Sequence, residues 1–238
     1  MKTARRLIAA AALAGLAVLA PGAAALAATI GIIGTGEVAN ALGPAFAAQG
    51  HTIVYGSRDP DREDVQALVA RTGNGASAAG QAEAAARSDI VVIAVPWNVV
   101  EAVVENLGDL SGKIVLDPTN PRIVGSDGLR DFAVPTSNAE LVQAMAPRAR
   151  VVKALNTMNW RTMLDPQATG GPVSVPMVGN DAAAKAVVAG LIEGMGLEPI
   201  DLGPVRYARI VEGMYLLWGN ANTLGTPFNY HLRRVEPD

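Results

Sequence analysis

The chain has 238 residues, with 19 Lys and Arg against 22 Asp and Glu, a formal net charge of −3 and 17% charged residues. That balance offers no electrostatic footprint for nucleic acid. Cysteine is absent, which excludes disulfides, thiolate metal sites and cysteine nucleophiles, and no metal site is expected; 50% hydrophobic residues are enough for a core in one domain or a domain plus a lobe.

Met1 to Ala27 has the three parts of a secretory signal: a basic opening with Lys2, Arg5 and Arg6, an apolar run from Leu7 to Ala20, and small residues ending in Ala25-Leu26-Ala27. Pro21-Gly22 interrupts the run before it comfortably spans a bilayer. Cleavage after Ala27 and export to the periplasm or another extracytoplasmic space is the expectation. An uncleaved membrane anchor, or a cytoplasmic protein with a misassigned start, are the alternatives. Adjacent Arg5-Arg6 fits a twin-arginine signal in part.

Thr29-Ile-Gly-Ile-Ile33 is an apolar, β-branched strand suited to burial on both faces, and it runs into Gly34-Thr35-Gly36-Glu37-Val38-Ala39. Gly34 permits a tight turn, Gly36 removes a side chain where the backbone must approach a pyrophosphate, and Ala39 is small where helix packs on strand. A phosphate would rest on the free N–H groups that open the helix. Val38, Leu42, Ala45 and Phe46 recur at helical spacing, Gly50 stops the helix, and His51 to Gly56 reads as a second strand, completing a βαβ half. A fold that prefers NAD places an acid at the end of that strand. Here stand Ser57-Arg58, with Arg62 close behind. A hydroxyl and a guanidinium fit a 2′-phosphate, so NADP(H) is the expected cofactor. Asp59, Asp61 and Glu63 dilute the charge, as in a plain solvated loop.

An amphipathic helix from Glu63 to Arg71 leads to a turn at Gly73-Asn-Gly75 and an alanine-rich, helix-prone stretch from Ala78 to Arg87. Asp89 to Val95 is the clearest buried strand, ended by Pro96-Trp97. Loops after parallel strands gather at their carboxyl ends beside the cofactor, which puts Pro96 and Trp97 on the nicotinamide side unless the proline merely ends the strand. A helix over Val99 to Leu107 precedes the strand Lys113 to Asp117, which closes on Pro118-Thr119-Asn120-Pro121. Residues 122 to 136 read as a longer loop, a candidate lid. Ser137 or Asn138 caps a helix to Met145, and Arg150 to Leu155 is a sixth strand running into Asn156-Thr157-Met158-Asn159-Trp160.

The remainder reads as strand Val173 to Val178, helix Asp181 to Met195 and strand Leu197 to Asp201. Beyond Gly203-Pro204 a helix carries Arg206, Arg209, Glu212 and Trp218. The tail from Asn220 to Asp238, with Phe228, Tyr230 and His231, suits an arm packing on another subunit of a homodimer. The alternation predicts an α/β protein with a Rossmann-like, doubly wound, mostly parallel sheet and a small C-terminal α/β lobe. Residues 28–155 would form the NADP-binding domain and 156–238 an acceptor-binding lobe and arm.

Gly34-Thr-Gly36, Gly56-Ser57-Arg58, Val95-Pro96-Trp97, Val152-Lys153-Ala-Leu-Asn156-Thr157, Gly179-Asn-Asp181 and Pro199-Ile-Asp-Leu-Gly-Pro204 occur in an order that resembles the coenzyme F420-dependent NADP oxidoreductase family. The likeness covers nearly everything after the leader. The last pieces are also similar to the cytosolic reductase domain of six-transmembrane metalloreductases, which passes hydride from NADPH to a flavin. The resemblance implies hydride transfer between NADP(H) and F420, FMN or FAD as small-molecule co-substrate. It also implies NADP contacts at Thr35, Gly36, Glu37, Val38, Ser57, Arg58 and Arg62, with Val95, Asn120 and Trp160 nearer the nicotinamide. Asn156 stands where an archaeal member carries histidine, and Ala39 where many members carry glycine.

Direct hydride transfer asks for stacked rings and excluded water more than for an acid or base. The two histidines, His51 and His231, sit at a strand entrance and in the tail. Lys153 and Asn156 are therefore the candidates for a catalytic side chain. Lys153 would protonate a small carbonyl or imine substrate in an alternative reductase, or act only as a hydrogen-bonding lysine. A non-catalytic NADP-binding module is the third reading.

Overall fold

In the computed structural model, which describes residues 27–235, the first apolar run forms β1 (Thr29–Ile33). The expected signal lies outside the described residues but for Ala27. Next come α1 (Glu37–Ala48), β2 (Thr52–Ser57), α2 (Glu63–Thr72), β3 (Ser77–Gly80), α3 (Gln81–Ala86), β4 (Ile90–Ile93), α4 (Val100–Glu105) and β5 (Ile114–Asp117). A hairpin of β6 (Arg122–Val124) and β7 (Arg130–Phe132) precedes α5 (Asn138–Met145), β8 (Arg150–Lys153) and α6 (Trp160–Leu164). The chain continues through β9 (Ser174–Gly179), α7 (Ala182–Gly194), β10 (Glu198–Asp201) and α8 (Ala208–Thr223).

Eight strands form one sheet in the order β10-β9-β8-β5-β4-β1-β2-β3, and every pair is parallel except β8 with β9. From β1 the chain winds outward to β3, then crosses back to β4 and winds the other way. This is the Rossmann-like, doubly wound α/β arrangement that the alternation of elements predicts. The reversal opens a crevice at the carboxyl ends of β1 and β4.

Period-two alternation sorts the strand residues onto two faces. Ile30, Ile32, Ile90, Val92, Ile114, Leu116 and Val152 join Leu42 and Phe46 of α1 and Val188 and Ile192 of α7 in one core. Ile33, Val91, Ile93, Val115 and Val151 join Ala84, Val104, Val142 and Val211, from α3, α4, α5 and α8, in the other. Each fully buried side chain of this size contributes roughly 1.5–3 kcal/mol, so the sheet is held from both sides.

Two segments differ from the sequence-based expectation. Ser77–Gly80 is an edge strand paired with Val54–Ser57, so only the second half of the alanine-rich stretch is helical. There, ladder hydrogen bonds outweigh alanine's helix preference. Residues 122–136 hold the β6–β7 hairpin, whose Arg130 N–H donates to Asn220 Oδ1 of α8 at 2.7 Å and whose Arg130 Nη1 donates to the Gly219 carbonyl at 2.6 Å. That segment is docked on α8 rather than a free loop. The tail runs along β9 and α8, where the Tyr230 carbonyl accepts the Ser174 N–H at 2.8 Å and Tyr230 Oη donates to the Met214 carbonyl at 2.8 Å. β9 and β10 extend the common sheet, through the antiparallel register Val152↔Gly179. Among the described residues no helix is long and apolar enough to cross a membrane.

Candidate functional site

Gly34 adopts φ +115°, its N–H donates to the Gly56 carbonyl at 2.9 Å, and a Cβ there would fall 2.2 Å from the Ala94 carbonyl oxygen. Only glycine makes this turn. Gly36 is different. Its backbone is extended (φ −81°, ψ −167°), and a Cβ added to it would meet nothing within 4 Å. The protein's own packing therefore does not demand glycine at 36; the open space in front of the backbone does, and it is the space a pyrophosphate needs.

Gly36 provides no side-chain cap for α1, so the first N–H groups of a 12-residue helix are left for a ligand. Asn40 stiffens the turn from behind, donating from Nδ2 to the carbonyls of Thr35 and Gly36 at 3.0 and 2.9 Å. Across from the turn, buried Ser57 donates to the Asp59 carbonyl at 2.9 Å and accepts its N–H at 3.2 Å. The serine thus shapes the bend that projects Arg58 into solvent. Arg62 is held by Asp64 at 2.5 and 3.0 Å and lies 3.4 Å from Thr35 Oγ1. Thr35, Gly36, Ser57, Arg58 and Arg62 line one cavity of about 340 Å³, together with Gln81, Val95, Pro96 and Val99. Glu37 opens α1 in an exposed position and lines neither this cavity nor the next.

A second cavity of about 340 Å³ shares Val95 and Pro96 with the first. All three tryptophans of the chain, Trp97, Trp160 and Trp218, line it, with Tyr215, Val38, Met158 and Met163. Its polar floor is a reciprocal amide pair: Asn120 Nδ2 donates to the Asn156 carbonyl at 2.8 Å, and Asn156 Nδ2 donates to Asn120 Oδ1 at 2.9 Å and to the Val211 carbonyl at 3.2 Å. Asn156 Oδ1 and Thr157 Oγ1 are buried without a partner among the described residues. Leu155, just before them, is held at φ +61°, an unfavourable conformation for a non-glycine residue. Of the two, Asn156 lines the cavity, and an orphaned acceptor there beside a strained residue fits a site that completes its hydrogen bonds with a bound group.

Lys153 proves to have a structural position. Alternation along β8 turns it toward α5 and α8, where it is fully buried. Its ammonium donates to Asp117 Oδ2 at 2.9 Å and to the Thr119 carbonyl, and meets Glu212 Oε1 at 2.6 Å. Burial pulls Lys153 downward, but the charges of Asp117 and Glu212 outweigh it and raise its pKa. A lysine locked as ammonium and lining neither cavity is not placed to protonate a substrate. Burial pushes Glu212 up to about 7, against the attraction of Lys153. Glu212 Oε1 also accepts the Asn138 N–H at 3.1 Å, while Oε2 has no partner among the described residues. Thr119, on the cavity wall, donates from Oγ1 to Asp117 Oδ1 at 2.6 Å and so ties the cluster to the site.

The two cavities bring together nearly every sequence-derived candidate, with Glu37 and Lys153 outside. Sequence reasoning missed Gln81, Val99, Tyr215 and Met163, and it noted Glu212 only as a helix residue. The first turn of α3 and the spacing of Glu212, Tyr215 and Trp218 on one helix were the available signals.

A glycine turn at the reversal of a doubly wound sheet, facing an aromatic cavity, defines a dinucleotide-dependent oxidoreductase. Residues 29–121 match the model of the family described as NADP oxidoreductase, coenzyme F420-dependent. A crystal structure from Arthrobacter sp. FB24, provisionally named an F420-dependent NADP-reductase, is 34% identical, with a TM-score of 0.78 over 87% of this chain and 100% of that one. The F420-dependent NADP reductase of Methanothermobacter thermautotrophicus is 28% identical over 203 residues, covering 79% of this chain and 86% of the relative. Metalloreductase STEAP3 of Rattus norvegicus is 29% identical over 188 residues, 79% of this chain. The chain spans only 36% of that metalloreductase's length. The chain belongs to the coenzyme F420-dependent family of NADP oxidoreductases.

Proposed function

We propose that the protein transfers a hydride between NADP(H) and the planar ring of a deazaflavin (F420) or a flavin. The observation that carries this is the meeting of the two cavities at Val95-Pro96, one built for a dinucleotide and the other walled by three tryptophans and a tyrosine. The turn at Gly34 and Gly36 and the start of α1 would hold the pyrophosphate, and Arg58 and Arg62 the 2′-phosphate. Bound there, NADPH supplies a hydride at its nicotinamide. The protein's own part is to orient and to exclude water: Val95 and Pro96 wall the junction, Asn120 and Asn156 offer amide groups at its floor, and the aromatic residues stack a ring.

Burial of Lys153 disfavours the small carbonyl or imine alternative, because the lysine that would supply its proton lies outside the cleft. The test is NADPH oxidation followed by absorbance with F420, FMN and FAD as separate acceptors. Saturable oxidation with at least one is expected. Oxidation with none of the three, in protein that binds NADPH, would remove the proposal.

A further inference from the structure

Among the residues lining the aromatic cavity, Arg122 alone carries a charge. Its guanidinium makes no ion pair or hydrogen bond among the described residues, and its one polar contact is with the Tyr215 ring, 5.5 Å from the centroid. Of the two neighbouring arginines, Arg130 is hydrogen-bonded and Arg209, though without a hydrogen bond among the described residues, is covered by a ring inside the hairpin contact. Arg130 is bonded to the Gly219 carbonyl and to Thr223 Oγ1, and Arg209 lies 3.9 Å over the Phe132 ring. These two dock the hairpin on α8, aided by Gly213 and Gly219, where a Cβ would stand 3.2 Å from Phe132 and 2.8 Å from Arg130. Arg122 is therefore not needed to hold the hairpin, yet the docking fixes where it stands. It is half-buried, next to exposed Ile123 and Val124, so it sits on the rim rather than in the floor.

An unpaired guanidinium carried by a docked hairpin on the rim of an aromatic slot matches a ligand that is flat at one end and anionic at the other. We propose that Arg122 selects acceptors whose ring carries an anionic tail, receiving the tail's phosphate or carboxylate while the ring lies among the tryptophans. This inference rests on transfer to an isoalloxazine-type ring as proposed above. It adds which members of that class are preferred.

FMN and riboflavin make the test, since they share one ring and differ by a phosphate. Quenching of Trp97, Trp160 and Trp218 fluorescence gives the affinity for each without turnover, and the KM with NADPH gives a second measure. The wild-type protein should bind FMN about tenfold more tightly than riboflavin, with the difference shrinking as salt is raised. R122M should erase the preference, bringing FMN to the level of riboflavin, and R122K should keep part of it. Equal affinities in the wild type, or a full preference surviving in R122M, would overturn the assignment of Arg122 while leaving ring transfer intact. Failure of FMN, riboflavin and F420 alike to quench or to be reduced would remove the ring-transfer function, and this inference with it.

Discussion

The nucleotide half of the cleft is centred on one βαβ unit, with Gly34, Gly36, the uncapped start of α1 and the bend from Ser57 to Arg62, and is closed by Gln81, Val95, Pro96 and Val99. The acceptor half is made of side chains drawn from seven places in the chain: α1, the loops after β4, β5 and β8, the β6–β7 hairpin, α6 and α8. Behind it stands a sealed cluster of Lys153, Asp117 and Glu212. A phosphate has one chemistry, so a short stretch of backbone suffices to receive it. Acceptor rings vary, and their pocket is assembled from distant parts of the chain over a buried support. The two halves should accordingly fail in different ways when altered.

Removing the support should have the largest effect. Lys153→Met leaves two buried carboxylates facing each other and should destabilise the fold by roughly 3–5 kcal/mol, seen as a lowered thermal midpoint. A midpoint unchanged within a degree or two would show that the acceptor half does not depend on the cluster. Gly36→Val probes the opposite case. No atom of the protein lies within 4 Å of an added Cβ, so the fold should persist while NADPH affinity falls about 100-fold, or roughly 2.8 kcal/mol. Loss of folding together with binding would erase the distinction between ligand space and packing space. Arg58→Glu should weaken NADPH by roughly 1.5–3 kcal/mol while sparing NADH, measured as dissociation constants for the two cofactors. Equal losses for both would place the 2′-phosphate elsewhere.

The smallest effect concerns pH. Glu212 is pushed up to about 7, above the ordinary 4.5, so the folded state binds its proton more readily than the unfolded chain does. Its contribution to stability is therefore complete below about pH 4.5, declines as pH rises through about 7, and is flat beyond. The decline should be on the order of 1–3 kcal/mol. Glu212→Gln should flatten that part of the stability profile measured by denaturant unfolding between pH 5 and pH 8. A variant that keeps the wild-type slope would assign it to another group.

The same division explains how much could be read in advance. Strand β1 and its glycine turn were legible because β-branched burial and tight-turn geometry are local properties, and Ser57-Arg58 followed from its place after the second strand. Pro96, Trp97, Asn120, Asn156 and Trp160 were legible as strand ends, since parallel topology collects those loops on one side of the sheet. Tyr215 and Arg122 were not, because their approach depends on how α8 and the hairpin dock on each other, through Arg130, Asn220 and Phe132. The choice between the two readings of Lys153 is hidden for a related reason. A strand-end lysine reads alike in sequence whether it faces the cleft or the interior, and only the partners contributed by β5 and α8 decide it. β3 was hidden by its alanines, whose helix preference yielded to pairing with β2.

Label transfer tests the joined cleft most directly. With NADPH deuterated at nicotinamide C4 and a 5-deazaflavin as acceptor, direct ring-to-ring transfer places the deuterium on a carbon of the reduced acceptor, where it does not exchange with water. The two-cavity account predicts that the label is recovered there, with transfer from one face of the nicotinamide only. Deuterium released to solvent, or taken equally from both faces, would contradict it.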